Sequence, residues 1–85
     1  MAQVEIYTSM FCGYCSRAKQ LLKRKGAAFN EISVDMKPDL RAEMRGRAGG
    51  SNSVPQIFID GQHVGGCDEL YALEGQGALD GMLAN

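Results

Sequence analysis

The sequence predicts an α/β fold: a four-stranded mixed sheet in the order β-α-β-α-β-β-α, closed by a short C-terminal helix, with helices on both faces. Three observations lead there. Apolar alternation at Val4 and Ile6 hands over to a helical spacing and then to a second apolar run at Phe29–Val34, so strand, helix and strand fill about thirty residues. Pro38 and the Gly49-Gly50 pair bracket a second helical stretch. Asp60-Gly61 separates two short apolar runs, a strong hairpin signal.

Each element has its own reason. In the first strand Val4 and Ile6 are expected inward, with Gln3, Glu5 and Tyr7 outward. In the first helix Cys15, Ala18, Leu21 and Leu22 share a face, Arg17, Gln20, Arg24 and Lys25 lie outside, and Gly26 ends it. The strand at Phe29–Val34 turns Ile32 and Val34 inward and, reached by a crossover helix, runs parallel to the first. Pro38 opens a helix because its missing N–H costs nothing there, and Leu40, Met44 and Ala48 form its apolar face. Gln56–Asp60 and Gln62–Val64 are the hairpin strands, broken at Gly65-Gly66. Asp68 is expected to open and cap a helix carrying Leu70, Tyr71 and Leu73, ending near Gly75; Leu79, Met82 and Leu83 suggest a final short one.

Eighty-five residues make a single domain, 1–85, with no room for a second core. A net charge of -1 gives no electrostatic footprint for nucleic acid or an anionic membrane. The basic run Lys23, Arg24, Lys25 reads as the last turn of a helix, where cations complement the dipole. No apolar stretch approaches the ~20 residues of a membrane span, and no signal-peptide pattern opens the chain. Three cysteines are too few and too odd for a stapled secreted domain, so the reducing cytoplasm is the expected compartment.

The chemistry lies in Cys12-Gly13-Tyr14-Cys15, where a strand hands over to a helix. Two thiols two residues apart close and reopen a disulfide within one turn. Helix N-termini carry unpaired N–H groups and about half a positive charge, which favours thiolate over thiol. Cys12, at the more exposed end, is the expected nucleophile, and Cys15, one turn in and facing the core, the resolving thiol. A structural zinc site built from Cys12, Cys15, His63 and Cys67 suits the ligand types but not the helix-opening position of the CxxC. His63 is otherwise read as a solvent-side strand residue and Cys67 as a small buried one.

Tyr7-Thr8, Cys12-Gly13-Tyr14-Cys15, Ser53-Val54-Pro55-Gln56-Ile57-Phe58-Ile59 and Gly65-Gly66-Cys67-Asp68 follow one another in an order and spacing that resembles the glutaredoxins, closest to the small bacterial dithiol members. Thioredoxins are similar in fold but lack the Gly-Gly-Cys-Asp block. The resemblance implies a thioredoxin-like fold, a redox-active Cys12–Cys15 disulfide, and glutathione as co-substrate. It also implies a cis bond between Val54 and Pro55, with the Val54 backbone pairing the cysteinyl unit of glutathione. Gly66 and its neighbour Gly65 let the ligand approach, Asp68 holds the γ-glutamyl ammonium, and nearby N–H groups hold the γ-glutamyl carboxylate. Tyr14 supplies an aromatic wall, Arg41 meets the glycine carboxylate, and Pro55 and Cys67 complete the groove.

The activity so implied is glutathione-dependent reduction of protein–glutathione mixed disulfides and protein disulfides, with NADPH entering through a separate glutathione reductase. The chain departs from the common family pattern twice. Gly13 stands where proline is usual, which frees the turn by about 0.4–1 kcal/mol and moves the couple by at most about 20 mV. Ser9 stands where a lysine is frequent, removing one cation near the thiol. Some members with a small residue in place of that proline hold a [2Fe-2S] cluster between two subunits. Cys12 of each and two glutathione thiols would be its ligands, and a monomer is expected otherwise.

Overall fold

The structure, a computed structural model, describes residues 2–84. The elements are β1 (Val4–Thr8), α1 (Gly13–Arg24), β2 (Asn30–Ser33), α2 (Pro38–Arg47), β3 (Gln56–Ile59), β4 (Gln62–Gly65), α3 (Cys67–Gly75) and α4 (Leu79–Leu83). The sheet runs β2-β1-β3-β4, with β1 parallel to β2 and the other two pairs antiparallel. The element order is therefore the one the sequence predicts, with the second strand trimmed from Phe29–Val34 to Asn30–Ser33. Asp60 and Gly61 both adopt positive φ, 51° and 79°, the backbone of a two-residue hairpin turn.

Period-two alternation on β1 and β3 sends side chains to both faces, and each face has its own helices. Val4, Ile6, Ile57 and Ile59 pack against Ala18, Leu21 and Leu22 of α1, Leu70 of α3 and Leu79 of α4. On the other face Tyr7 and Phe58 pack against Val34 and, from α2 and its end, Met44 and Ala48. This corrects the expectation that Tyr7 faces solvent: it is 0% exposed. β1 is an inner strand covered on both sides, and alternation alone does not say that the second face is covered too. The buried phenol is tolerated because it is paired. Tyr7 Oη donates to Glu43 Oε2 at 2.6 Å and accepts from Arg47 Nη1 at 2.8 Å.

Asp68 does not cap α3. Gly66 is the N-cap, the helix starts at Cys67, and Asp68 sits inside the first turn. The Gly66 N–H, otherwise an orphan, donates to Glu69 Oε1 at 2.6 Å. Among the described residues no helix is long and apolar enough to cross a membrane.

The fold places the chemistry at one end of the sheet. The crossover from β1 into α1 leaves the C-terminal end of β1 and the N-terminus of α1 side by side, and the start of β3 arrives there antiparallel.

Candidate active site

Between β1 and α1 the chain turns through Ser9, Met10 and Phe11, and Asp35 holds that turn. Ser9 Oγ donates to Asp35 Oδ1 at 2.5 Å, and the Met10 N–H donates to Oδ2 at 2.7 Å. The Ser9 hydroxyl, with the Met10 N–H, keeps the Asp35 carboxyl below the usual range. Phe11 follows in the left-handed region, fully exposed, and Cys12 takes the N-cap of α1 with extended backbone. Its sulfur does what an N-cap oxygen does: Cys12 Sγ accepts from the Cys15 N–H at 3.2 Å. As a thiol it also points its hydrogen at the Val54 carbonyl, 3.8 Å away. Ionisation leaves the first contact intact, because a thiolate can only accept.

Cys15 is different. It is buried, and burial, followed by its hydrogen bond with Cys12, pushes its thiol up to about 12. Burial likewise pushes the Cys67 thiol up. All three cysteines are free. Iodoacetamide at neutral pH is therefore expected to alkylate Cys12 first, while Cys15 and Cys67 react slowly until the chain is unfolded. Peptide mapping of the carbamidomethylated sites checks this, and equal labelling of Cys12 and Cys15 would overturn the division of roles.

Two clefts lie near Cys12, one lined by it and one lined by Val54, whose carbonyl the Cys12 thiol faces. One, of about 460 Å³, is bordered by Ser9, Met10 and Phe11 and by the Lys19–Glu31 ion pair at 2.9 Å. The other, of about 220 Å³, is the groove the sequence pointed to. Tyr14, Val54, Pro55, Gly66, Cys67 and Asp68 all line it, so six of the residues expected around glutathione come together. The Val54–Pro55 bond is cis. At Gly65 φ is +121°, and a Cβ there would lie 2.8 Å from Glu69 Cγ, so no other residue fits without displacing the side chain that caps Gly66.

Arg41 stands outside the groove's lining. Its Nη1 donates to the Asn52 carbonyl at 2.9 Å, one residue before Ser53. His63 lies toward the other face of the sheet, its ring 5.0 Å from that of Phe58 and its Nε2 2.7 Å from Gln56 Oε1. The zinc reading therefore has no geometry: among the described residues no three His, Cys, Asp or Glu side chains gather around a common point. Sequence reading missed Ser53 and Glu69, which also line the groove. Glu69 had a signal, standing three residues after the helix-opening Gly66 as a capping-box acid does; Ser53 had none.

The glutaredoxin family model matches residues 4–64. Over 84 residues the chain is 58% identical to a glutaredoxin of Pseudomonas aeruginosa, with 99% of each chain covered. The solution structure of glutaredoxin from Brucella melitensis superposes with a TM-score of 0.86 at 60% identity, covering 98% of this chain and 89% of that one. The crystal structure of a buckwheat glutaredoxin–glutathione complex does so with a TM-score of 0.88 at 34% identity, covering 98% and 77%. Strand order and helix placement are thus the thioredoxin-like arrangement these proteins share. The matched span runs from β1 into β4 and takes in both motif cysteines and the Val54–Pro55 corner, so the chain belongs to the glutaredoxin family, with the thiol–disulfide oxidoreductase role that membership carries.

Proposed function

We propose that the protein is a glutathione-dependent oxidoreductase that reduces protein–glutathione mixed disulfides and protein disulfides through the Cys12 thiolate. The observation that carries this reading is the groove lined by Tyr14, Val54 and the first turn of α3, whose Val54 carbonyl lies 3.8 Å from Cys12 Sγ. A tripeptide laid there pairs its cysteinyl N–H and C=O with Val54, as one step of an added strand. Its γ-glutamyl ammonium meets Asp68, and its γ-glutamyl carboxylate meets the N–H groups opening α3. Arg41, released from Asn52, supplies a cation for the glycine carboxylate.

The Cys12 thiolate attacks the glutathione sulfur of a mixed disulfide; a Cys12–glutathione bond forms and the protein leaves as thiolate. A second glutathione thiolate attacks the bound glutathione sulfur, releasing Cys12 and glutathione disulfide. For a protein disulfide, Cys12 attacks one sulfur and the other departs as a thiolate that can take up the Cys15 proton. Cys15 then attacks Cys12 Sγ and expels the substrate, and two glutathiones reopen the Cys12–Cys15 bridge. Electrons enter the glutathione pool from an NADPH-dependent glutathione reductase. The reducing cytoplasm is the fitting compartment.

Asp68→Asn tests the glutathione part. Loss of a hydrogen bond to a charged group, about 1.5–3 kcal/mol, is expected to lower kcat/KM for a glutathionylated peptide by about ten- to hundredfold. The same peptide carrying a 2-mercaptoethanol disulfide has no ammonium to lose and is expected to react as with the parent protein. An equal fall on both substrates would sink the assignment.

A second reading, a dimer sharing a [2Fe-2S] cluster, is favoured by one observation: Cys12, at the N-cap of α1, is the one cysteine of the three that is part-exposed. The donor set fits in kind, since Cys12 offers one accessible thiol per subunit and glutathione the others; Cys15 and Cys67 are buried. Anaerobic incubation with iron, sulfide and glutathione is expected to give a coloured dimer if this holds, and a colourless monomer otherwise.

A further inference from the structure

The turn that carries Val54 is held by a buried polar knot that the redox chemistry does not use. Gln56, the first residue of β3, is 3% exposed, yet it is a carboxamide in an otherwise apolar strand. Both ends are satisfied. Its Nε2 donates to the Ser53 carbonyl at 2.9 Å, to Ser51 Oγ at 3.0 Å and to Ser53 Oγ at 3.2 Å. Its Oε1 lies 2.7 Å from His63 Nε2 on β4.

The orientation of that amide follows from elementary pairing. The Ser53 carbonyl can only accept, so the NH₂ must face it and the oxygen must face His63. His63 therefore carries its proton on Nε2 and donates it to Gln56 Oε1. The Phe58 ring lies beside the imidazole, tilted 32° to it. The far side of the same turn is tied to α2, where Arg41 donates to the Asn52 carbonyl at 2.9 Å and Arg45 to Asn52 Oδ1 at 3.2 Å.

We propose that Gln56 is a positioning residue for the groove: oriented by His63, its carboxamide fixes the Ser51–Ser53 turn and through it the Val54 backbone beside Cys12. Its use in glutathione binding rests on the reading above; the positioning itself does not. Ser53 is exposed, so water can take over the bonds to it if the amide is lost. The expected result of that loss is a turn that moves, not a core that collapses.

Three variants test this. Gln56→Met keeps the length and removes the donors. His63→Phe keeps the ring stack and removes the donor to Oε1, whereas His63→Gln restores a donor. A misplacement of about 1 Å costs up to about a hundredfold, so KM for a glutathionylated peptide is expected to rise about tenfold in Gln56→Met with kcat little changed. His63→Phe should show part of that rise and His63→Gln little of it. Alkylation of the buried Cys15 by iodoacetamide should stay as slow as in the parent, which general destabilisation would not guarantee. The NMR order parameter of the Val54 N–H is expected to fall in Gln56→Met and His63→Phe. An unchanged KM with an unchanged Val54 order parameter overturns the proposal, as does an equal effect of His63→Phe and His63→Gln. If the parent protein fails to turn over the glutathionylated peptide, the glutathione reading falls, and the Val54 order parameter alone decides the positioning role.

Discussion

Replacement of Cys12 by serine is expected to abolish thiol–disulfide exchange on every substrate, and replacement of Cys15 only one branch of it. Serine at position 12 has the shape to cap α1, where Cys12 Sγ now accepts the Cys15 N–H, so the fold should persist. What disappears is the sulfur that forms the mixed disulfide, and an alcohol near neutrality is not ionised enough to substitute for it. Cys15→Ser retains that sulfur. It is expected to accumulate a single glutathione adduct on Cys12 after exposure to glutathione disulfide and to keep reducing glutathionylated peptide. It should lose the reduction of protein disulfides, because no second thiol remains to expel the substrate. Intact-protein mass spectrometry with coupled turnover assays measures both branches. Comparable activity of the two variants on glutathionylated peptide would reverse the roles given to the two sulfurs.

The largest expected change in stability comes from the opposite face of the sheet. Arg47, at the end of α2, donates to both carboxylate oxygens of Glu5 at 2.9 and 3.2 Å and to Tyr7 Oη at 2.8 Å, and its guanidinium lies 4.1 Å from the Phe58 ring centroid. One planar fork thereby ties α2 to β1 and β3. Arg47→Ala removes the fork and leaves the part-exposed Glu5 carboxylate without its partner. The expected loss is about 2 kcal/mol, from charge-assisted bonds and a half-buried cation–π contact, or about 10 °C in Tm for a domain of this size. Arg47→Lys keeps the charge without the bidentate geometry and should fall between.

The acid limb supplies a signature with a definite sign. The hydrogen bond from Arg47 holds the Glu5 carboxyl below its ordinary value in the folded protein. A depressed carboxyl stabilises the fold above its unfolded pKa, and that contribution is lost as pH falls through the folded one. Glu31, held low by Lys19 and the Thr8 hydroxyl, acts with the same sign. Arg47→Ala should therefore lose less stability between neutral and acid pH than the parent. Urea melts across that range measure it; parallel curves would remove Glu5 from the account.

Order and type of every element were legible in the sequence because the signals are local. Strand alternation, helical spacing, Pro38 at a helix start and Asp60-Gly61 in a turn each involve a few neighbouring residues. The thiol pair was legible for the same reason, since a helix start needs only the next turn to define it. Local pattern could not say which faces would be covered. Val4 and Tyr7 lie on opposite sides of one strand, and only the docking of α2 buried the second of them. Nor did the sequence separate Asp68 from Gly66 as the cap, because both residues suit that position.

By itself, then, the sequence determined a βαβ unit opening on two thiols, a hairpin, and the side chains available to a groove. Tertiary structure alone decided what each polar group meets: Asp35 on the Ser9–Met10 turn, Arg47 on Glu5 and Tyr7, His63 on Gln56, Arg41 on Asn52. The physical reason is range. Periodicity is set by bonds between near neighbours. The partner of a buried donor or acceptor is whichever complementary group the packed helices and strands deliver within about 3 Å, often from far along the chain.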